Sequence, residues 1–110
     1  LITYGSPRVG NKNFVRSFTD YNISSYRITH YYDMVPHVPE ELLNYLHIPN
    51  EIWYNKNNSD FKICNDYNIN EDNTCSNSCS PIHCTSITNH LYYLNISLGN
   101  DQLCFAPTYM

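Results

Sequence analysis

The first 32 residues place their apolar runs in the order strand, turn, helix, strand, which constrains the fold more than any other feature of the chain. Leu1-Ile2-Thr3-Tyr4 reads as a short strand that ends at the turn Gly5-Ser6-Pro7. Asn11 is a candidate N-cap for a helix with Phe14, Val15 and Phe18 on one apolar stripe, ended by Asn22. Ser25 to Tyr32, rich in β-branched and aromatic residues, reads as a second strand. Strands joined through a helix call for a parallel crossover, so the expected fold class is α/β.

Farther along, Pro36 and Pro39 are expected to hold an extended loop. Ile48 to Tyr54 and Phe61 to Cys64 read as two strands of a hairpin around the polar stretch Asn55 to Asp60. Residues 65–81 form an acidic, Asn-rich loop. His90, Tyr93, Leu94 and Ser97 fall on helical spacing, so a short helix is expected from near Thr88. The chain shows no internal repeat and no domain boundary, and residues 1–110 are taken as part of one domain. Leu1 and Ile2 already read as the middle of a strand, so the chain is expected to be a C-terminal portion of a longer protein.

Charge and cysteine content narrow the function. The net charge is −4 with only six basic residues, which argues against a nucleic-acid or anionic-membrane partner, since both require a cationic face. No apolar run approaches the ~20 residues of a membrane span, so no transmembrane segment is expected. Aromatic residues make up 15% of the chain, too many for wholesale disorder. Cys64, Cys75, Cys79, Cys84 and Cys104 all lie in the second half, mostly in a polar loop that would make a poor core. A bonding role is expected, in an oxidising, secretory compartment. The sequons at Asn22, Asn57 and Asn95 are compatible with secretion. Five is odd, so one cysteine is expected to pair outside the chain. Cys75, Cys79, His83 and Cys84 could supply four zinc ligands, but their spacing matches no common module and disulfides explain the cluster better. No cofactor and no metal are expected.

Two residues stand out as carriers of chemistry. Asp33 follows an apolar strand directly, at the strand end where α/β sites assemble; its plainer role is to start the next loop as an Asx turn. His90 could take a proton from a hydroxyl if an acid fixed its other ring nitrogen. His30, His37, His47 and His83 are rivals by residue type, and separation along the chain does not choose among the five. No Gly-x-Ser-x-Gly elbow occurs, and Ser6, followed by Pro7, reads as a turn residue.

Two blocks carry a family resemblance: Tyr4-Gly5-Ser6-Pro7-Arg8-Val9-Gly10-Asn11 with Phe14, and Arg27-Ile28-Thr29-His30 with Asp33-Met34-Val35-Pro36-His37-Val38-Pro39. Together they resemble the class 3, fungal-type lipases of the α/β-hydrolase fold. Glu51-Ile52-Trp53-Tyr54, the loop bounded by Cys64 and Cys75, and Asn89-His90-Leu91-Tyr92-Tyr93 are similar to later parts of the family, in the same order. Asn89 stands where the family usually has Asp, Glu40 where a second Pro is common, and Val38 where Leu is common.

The resemblance implies the C-terminal part of an α/β-hydrolase, a mostly parallel sheet with flanking helices, incomplete without its N-terminal half. It implies a Ser-Asp-His triad with Asp33 as the acid and His90 as the base, and with the serine upstream. It also implies a lipid or ester substrate at a lipid–water interface, most specifically a triacylglycerol. The family pattern pairs Cys64 with Cys75 and gives Cys104 an N-terminal partner, while Cys79 and Cys84 lie outside it and could close their own loop. Arg8, Gly5 and Gly10 read as structural, a close backbone approach and a charge tying a loop down. Two alternatives stay open: a non-catalytic lipase-like binding protein, or an unrelated disulfide-rich secreted module.

Overall fold

The computed structural model describes residues 1–67 and 70–99. Strand β1 (Ile2–Tyr4) leads through helix α1 (Lys12–Asp20) to strand β2 (Tyr26–His30). The two strands are parallel, with Tyr4 opposite Ile28. Asn11 caps α1 by accepting the Phe14 N–H at 3.0 Å, and Val15 is the helix's buried residue. The sequence reading of this unit holds.

Strand β3 (Glu51–Tyr54) lies parallel to β2, and β4 (Phe61–Ile63) returns antiparallel to β3. The sheet order is β1-β2-β3-β4. The ends of β1, β2 and β3 therefore share one edge, and Gly5, the turn before Asp33 and the loop 55–60 leave from it.

Two expectations fail. Pro36 does not sit in extended chain: Val35–His37 forms a 3₁₀ turn. Proline's fixed φ suits the first positions of such a turn, and its missing N–H is not needed there. The helix near Thr88 is one turn, α2 (Ile87–His90), with His90 at its end. The chain then makes a small hairpin, β5 (Tyr92–Tyr93) with β6 (Ile96–Ser97). Leu94 and Asn95 both take positive φ (51° and 63°), as a two-residue hairpin turn requires.

The interior is unusually polar. Val15, Ile28, Ile48, Tyr93 and three half-cystines are its apolar part. Arg8, Arg27, Thr29, His30, Asp33, His37, His47, Glu51 and Asp66 are buried with them. Burial of charge on this scale is tolerated only with partners, and most of these groups have them, although Arg27 Nη1 and His37 Nε2 are buried without a hydrogen-bond partner among the described residues. Arg27 donates to the Ile48 carbonyl at 2.6 Å and faces Asp66 and Glu51 at 3.4 and 3.6 Å. Thr29 Oγ1 donates to Glu51 at 2.6 Å. Cys64–Cys75 and Cys79–Cys84 are disulfides. The first joins the end of β4 to the loop that covers Arg8. Cys104 lies outside the described residues.

Candidate functional site

Asp33 is placed by a tight turn. Its N–H donates to the His30 carbonyl at 2.9 Å, which reverses the chain as soon as β2 ends. Tyr31 takes φ 38°, a conformation costly for an aromatic residue, of order 1–3 kcal/mol. The Trp53 indole N–H holds it by donating to the Tyr31 carbonyl at 3.1 Å, and the Tyr31 and Tyr32 rings stack at 3.9 Å. The Asp33 side chain ends almost fully buried.

Its two oxygens divide the roles weighed from the sequence. Oδ1 accepts the Val35 N–H at 2.8 Å, the Asx turn. Oδ2 accepts the Tyr93 hydroxyl at 2.5 Å and His90 Nδ1–H at 3.0 Å. The turn and the contact with His90 are both present in one carboxylate.

His90 reaches this point because α2 hangs from the segment carrying Asp33. The Ser86 N–H donates to the Tyr32 carbonyl at 3.1 Å, and Ser86 Oγ caps the turn by accepting the Asn89 N–H at 3.0 Å. With Nδ1 committed to Asp33, the imidazole carries its proton there when neutral. Its other nitrogen, Nε2, has no hydrogen-bond partner among the described residues, and the side chain is 31% exposed. A carboxylate, an imidazole aligned by it and an open second nitrogen together can move a proton.

Two members of this cluster were missed as site residues. Tyr93 is buried, and burial first, then the Asp33 charge and hydrogen bond, push its phenol far above the ordinary value, so it remains a donor. The sequence marks Gly5 as a structural turn with close backbone approach, not as part of the site. A Cβ there would lie 2.8 Å from both Asp33 Oδ2 and His90 Nδ1, and 2.9 Å from the Tyr93 hydroxyl. With φ +59° as well, glycine is what lets β1 end against the three polar groups. Its place after β1, the neighbour of the strand carrying Asp33, was the available signal.

His30, His47 and His83 are engaged elsewhere, while His37 Nε2 is buried without a hydrogen-bond partner among the described residues. The His30 ring lies 3.0 Å from the Asn89 carbonyl and 3.1 Å from that of Lys56. His47 donates Nε2–H to the Pro36 carbonyl at 2.7 Å; burial, then the Arg27 charge, push it down to about 3. His37 is buried and lowered by burial first and the Arg8 charge second. His83 pairs with Ser80 Oγ at 2.8 Å in the exposed Cys79–Cys84 loop. The zinc alternative loses its thiolates, because Cys75, Cys79 and Cys84 are all in disulfides. The same bond disarms the one cluster of ligand type among the described residues, Glu51 with Cys64 and Cys75.

Arg8 has the tying role expected of it. Its guanidinium meets both Glu71 oxygens at 2.7 and 2.8 Å and donates to the His37 and Pro39 carbonyls at 2.7 and 3.0 Å. Burial pushes the Glu71 carboxyl up, but the Arg8 hydrogen bonds, the His47 and Arg8 charges and the His47 N–H together outweigh it and hold Glu71 below the ordinary carboxylate value.

Comparison with known proteins agrees with this arrangement of elements. Residues 1–43 match the family model for lipase (class 3). The Rhizopus niveus lipase is 38% identical over 100 residues, covering 91% of this chain and 24% of that protein. The solved structure of lipase II from the same organism superposes with a TM-score of 0.78, over 89% of this chain and 36% of that one. The chain belongs to the class 3 lipase family. A triacylglycerol lipase whose catalytic centre is described as a serine protease triad is 31% identical, with a TM-score of 0.75 over 90% of this chain and 37% of its own. The fold of this class 3 lipase chain is accordingly part of an α/β-hydrolase. It spans about a quarter of the length of the curated relatives it matches, 24% of the Rhizopus niveus protein and 26% of the Rhizomucor miehei lipase. Among the described residues, no helix is long and apolar enough to cross a membrane.

Proposed function

We propose that residues 1–110 are the C-terminal portion of a single lipase domain, a secreted carboxylic ester hydrolase of triacylglycerol type that works at a lipid–water interface. Asp33 is the acid and His90 the base of a Ser-Asp-His triad, and the serine precedes Leu1. The observation that carries this reading is the 3.0 Å contact between His90 Nδ1 and the buried Asp33 Oδ2, with Nε2 left open. The lipase relatives and the two disulfides support the substrate class and the secretory compartment.

In the mechanism, Nε2 removes the serine hydroxyl proton as the oxygen attacks the ester carbonyl. The imidazolium is stabilised by Asp33, which remains ionised. Nε2 then returns the proton to the departing alcohol, leaving an acyl-serine. Water, deprotonated by the same nitrogen, releases the fatty acid. No step calls for a cofactor. The test is hydrolysis of p-nitrophenyl butyrate and emulsified tributyrin by the full-length protein and by its His90→Ala variant. The reading expects activity in the first and a loss of several orders of magnitude in the second. An inert, folded full-length protein would instead make it a lipase-like binding protein.

A further inference from the structure

His90 sits at the end of a helix too short to hold itself. One helical turn is not stable alone in water, so its geometry must come from what it is attached to. Ser86 secures the start of α2. The other tie comes from His30, the last residue of β2, whose ring is 1% exposed. His30 Nδ1–H donates to the Asn89 carbonyl at 3.0 Å. That carbonyl belongs to the peptide group whose nitrogen is the backbone N of His90, so fixing its oxygen fixes the plane from which the His90 side chain leaves.

The His30 ring is itself oriented. Asn58 Oδ1 accepts the Leu94 N–H at 3.2 Å, which turns the Asn58 amide nitrogen toward His30 Nε2 at 3.3 Å. Nε2 then accepts, and Nδ1 carries the proton given to Asn89. The Lys56 carbonyl lies 3.1 Å from the same nitrogen, and the Asn58 amide is what assigns Nε2 the accepting role and Nδ1 the proton. Tyr93 packs edge-on against the same ring, with centroids 5.6 Å apart, and donates to Asp33. His30 therefore touches the supports of both Asp33 and His90 without contacting either side chain's reactive atoms.

We propose that His30 is a positioning residue for His90: its Nδ1–H, held by the loop after β3, fixes the Asn89–His90 peptide so that the imidazole meets Asp33. This rests on the proposed hydrolase reading for its effect on catalysis, but not for its effect on geometry.

The test compares two substitutions in the full-length protein. His30→Asn keeps a donor where Nδ1 was, and His30→Leu keeps none. The first is expected to retain kcat on p-nitrophenyl butyrate within about threefold, and the second to lose on the order of 10²-fold in kcat with KM little changed, the cost of a misplaced catalytic group. The low-field proton resonance of His90 Nδ1–H, the signature of an Asp–His pair, should persist in His30→Asn and vanish or move in His30→Leu.

If both variants lose kcat equally while both keep the resonance, His30 only fills space, and the proposal is wrong. If Asp33→Asn and His90→Ala leave turnover untouched, the hydrolase reading fails instead. The resonance in the two His30 variants then still decides whether His30 sets the geometry. Thermal unfolding of each variant shows whether it folds. Should His30→Leu not fold, His30→Gln, which moves the donor away from the Nδ1 position, takes its place with the same expected losses.

Discussion

Asp33 and Glu71 are both buried carboxylates whose oxygens are fully engaged, yet they hold different groups. Glu71 holds the Arg8 guanidinium with both oxygens and also accepts the His47 N–H at 3.1 Å. A guanidinium does not release its proton, so that network is closed and ties loops together. Asp33 holds an imidazole, which can release one, and the ring's far nitrogen is unpartnered among the described residues. Burial of charge does not distinguish a clamp from a proton route. The identity of the last group in the chain of hydrogen bonds, and whether it has an open end, does.

The comparison is broken most sharply from the Asp33 side. Asp33→Asn in the full-length protein should lower kcat for ester hydrolysis by about 10⁴-fold, because the amide favours the wrong imidazole tautomer. Thermal unfolding should show a folded variant. On the clamp side, Arg8→Met strands Glu71 as an unpaired buried charge and should cost about 3–5 kcal/mol, read by chemical denaturation. Molecules that stay folded should keep kcat within about threefold, since Arg8 lies off the proton route.

Gly5→Ala tests the close approach between β1 and the cluster. The added methyl must displace Asp33, His90 or Tyr93, and a loss of about 10²-fold in kcat is expected. Tyr93→Phe removes a single donor to Asp33 Oδ2; about a tenfold loss is expected, as a hydrogen bond to a charged group contributes roughly 1.5–3 kcal/mol.

The clamp should also set acid sensitivity. His47 is pushed down to about 3 by burial, so the unfolded chain binds its proton more readily than the folded one. Its stabilising effect is complete above the ordinary histidine value of about 6.5 and is lost as pH falls toward 3. Glu71, with its carboxyl held low, adds a further loss below about pH 4.3, the ordinary glutamate value. His47→Gln should flatten the unfolding midpoint between about pH 6.5 and 3, the smallest of these effects to measure.

The βαβ unit was legible because its signals are local: Asn11 is a cap followed by an apolar stripe, and Tyr26–His30 is strand-like in composition. The hairpin of β3 and β4 was legible for the same reason. The Cys64–Cys75 bond and the pairing of Asp33 with His90 came from family resemblance, since no local rule joins residues 57 positions apart. The region after Thr88 misled. His90 and Tyr93 are three apart and both point at Asp33 Oδ2, which imitates helical spacing while the backbone is leaving a helix for a hairpin. Leu94 at positive φ is a poor turn residue by type, and its support, the Asn58 side chain, is distant in sequence. Gly5 was seen as a turn because its neighbours in the chain say so; the three side chains it faces come from other parts of the molecule.

Non-additivity is the most direct test of whether Asp33 and His90 act as one unit. The kcat for p-nitrophenyl butyrate should be compared in the full-length protein, Asp33→Asn, His90→Ala and the double variant. The account predicts that the double variant is no worse than the weaker single, because the second change removes a partner that has already lost its function. Losses that multiply, or turnover in either single variant equal to that of the unaltered protein, would contradict it.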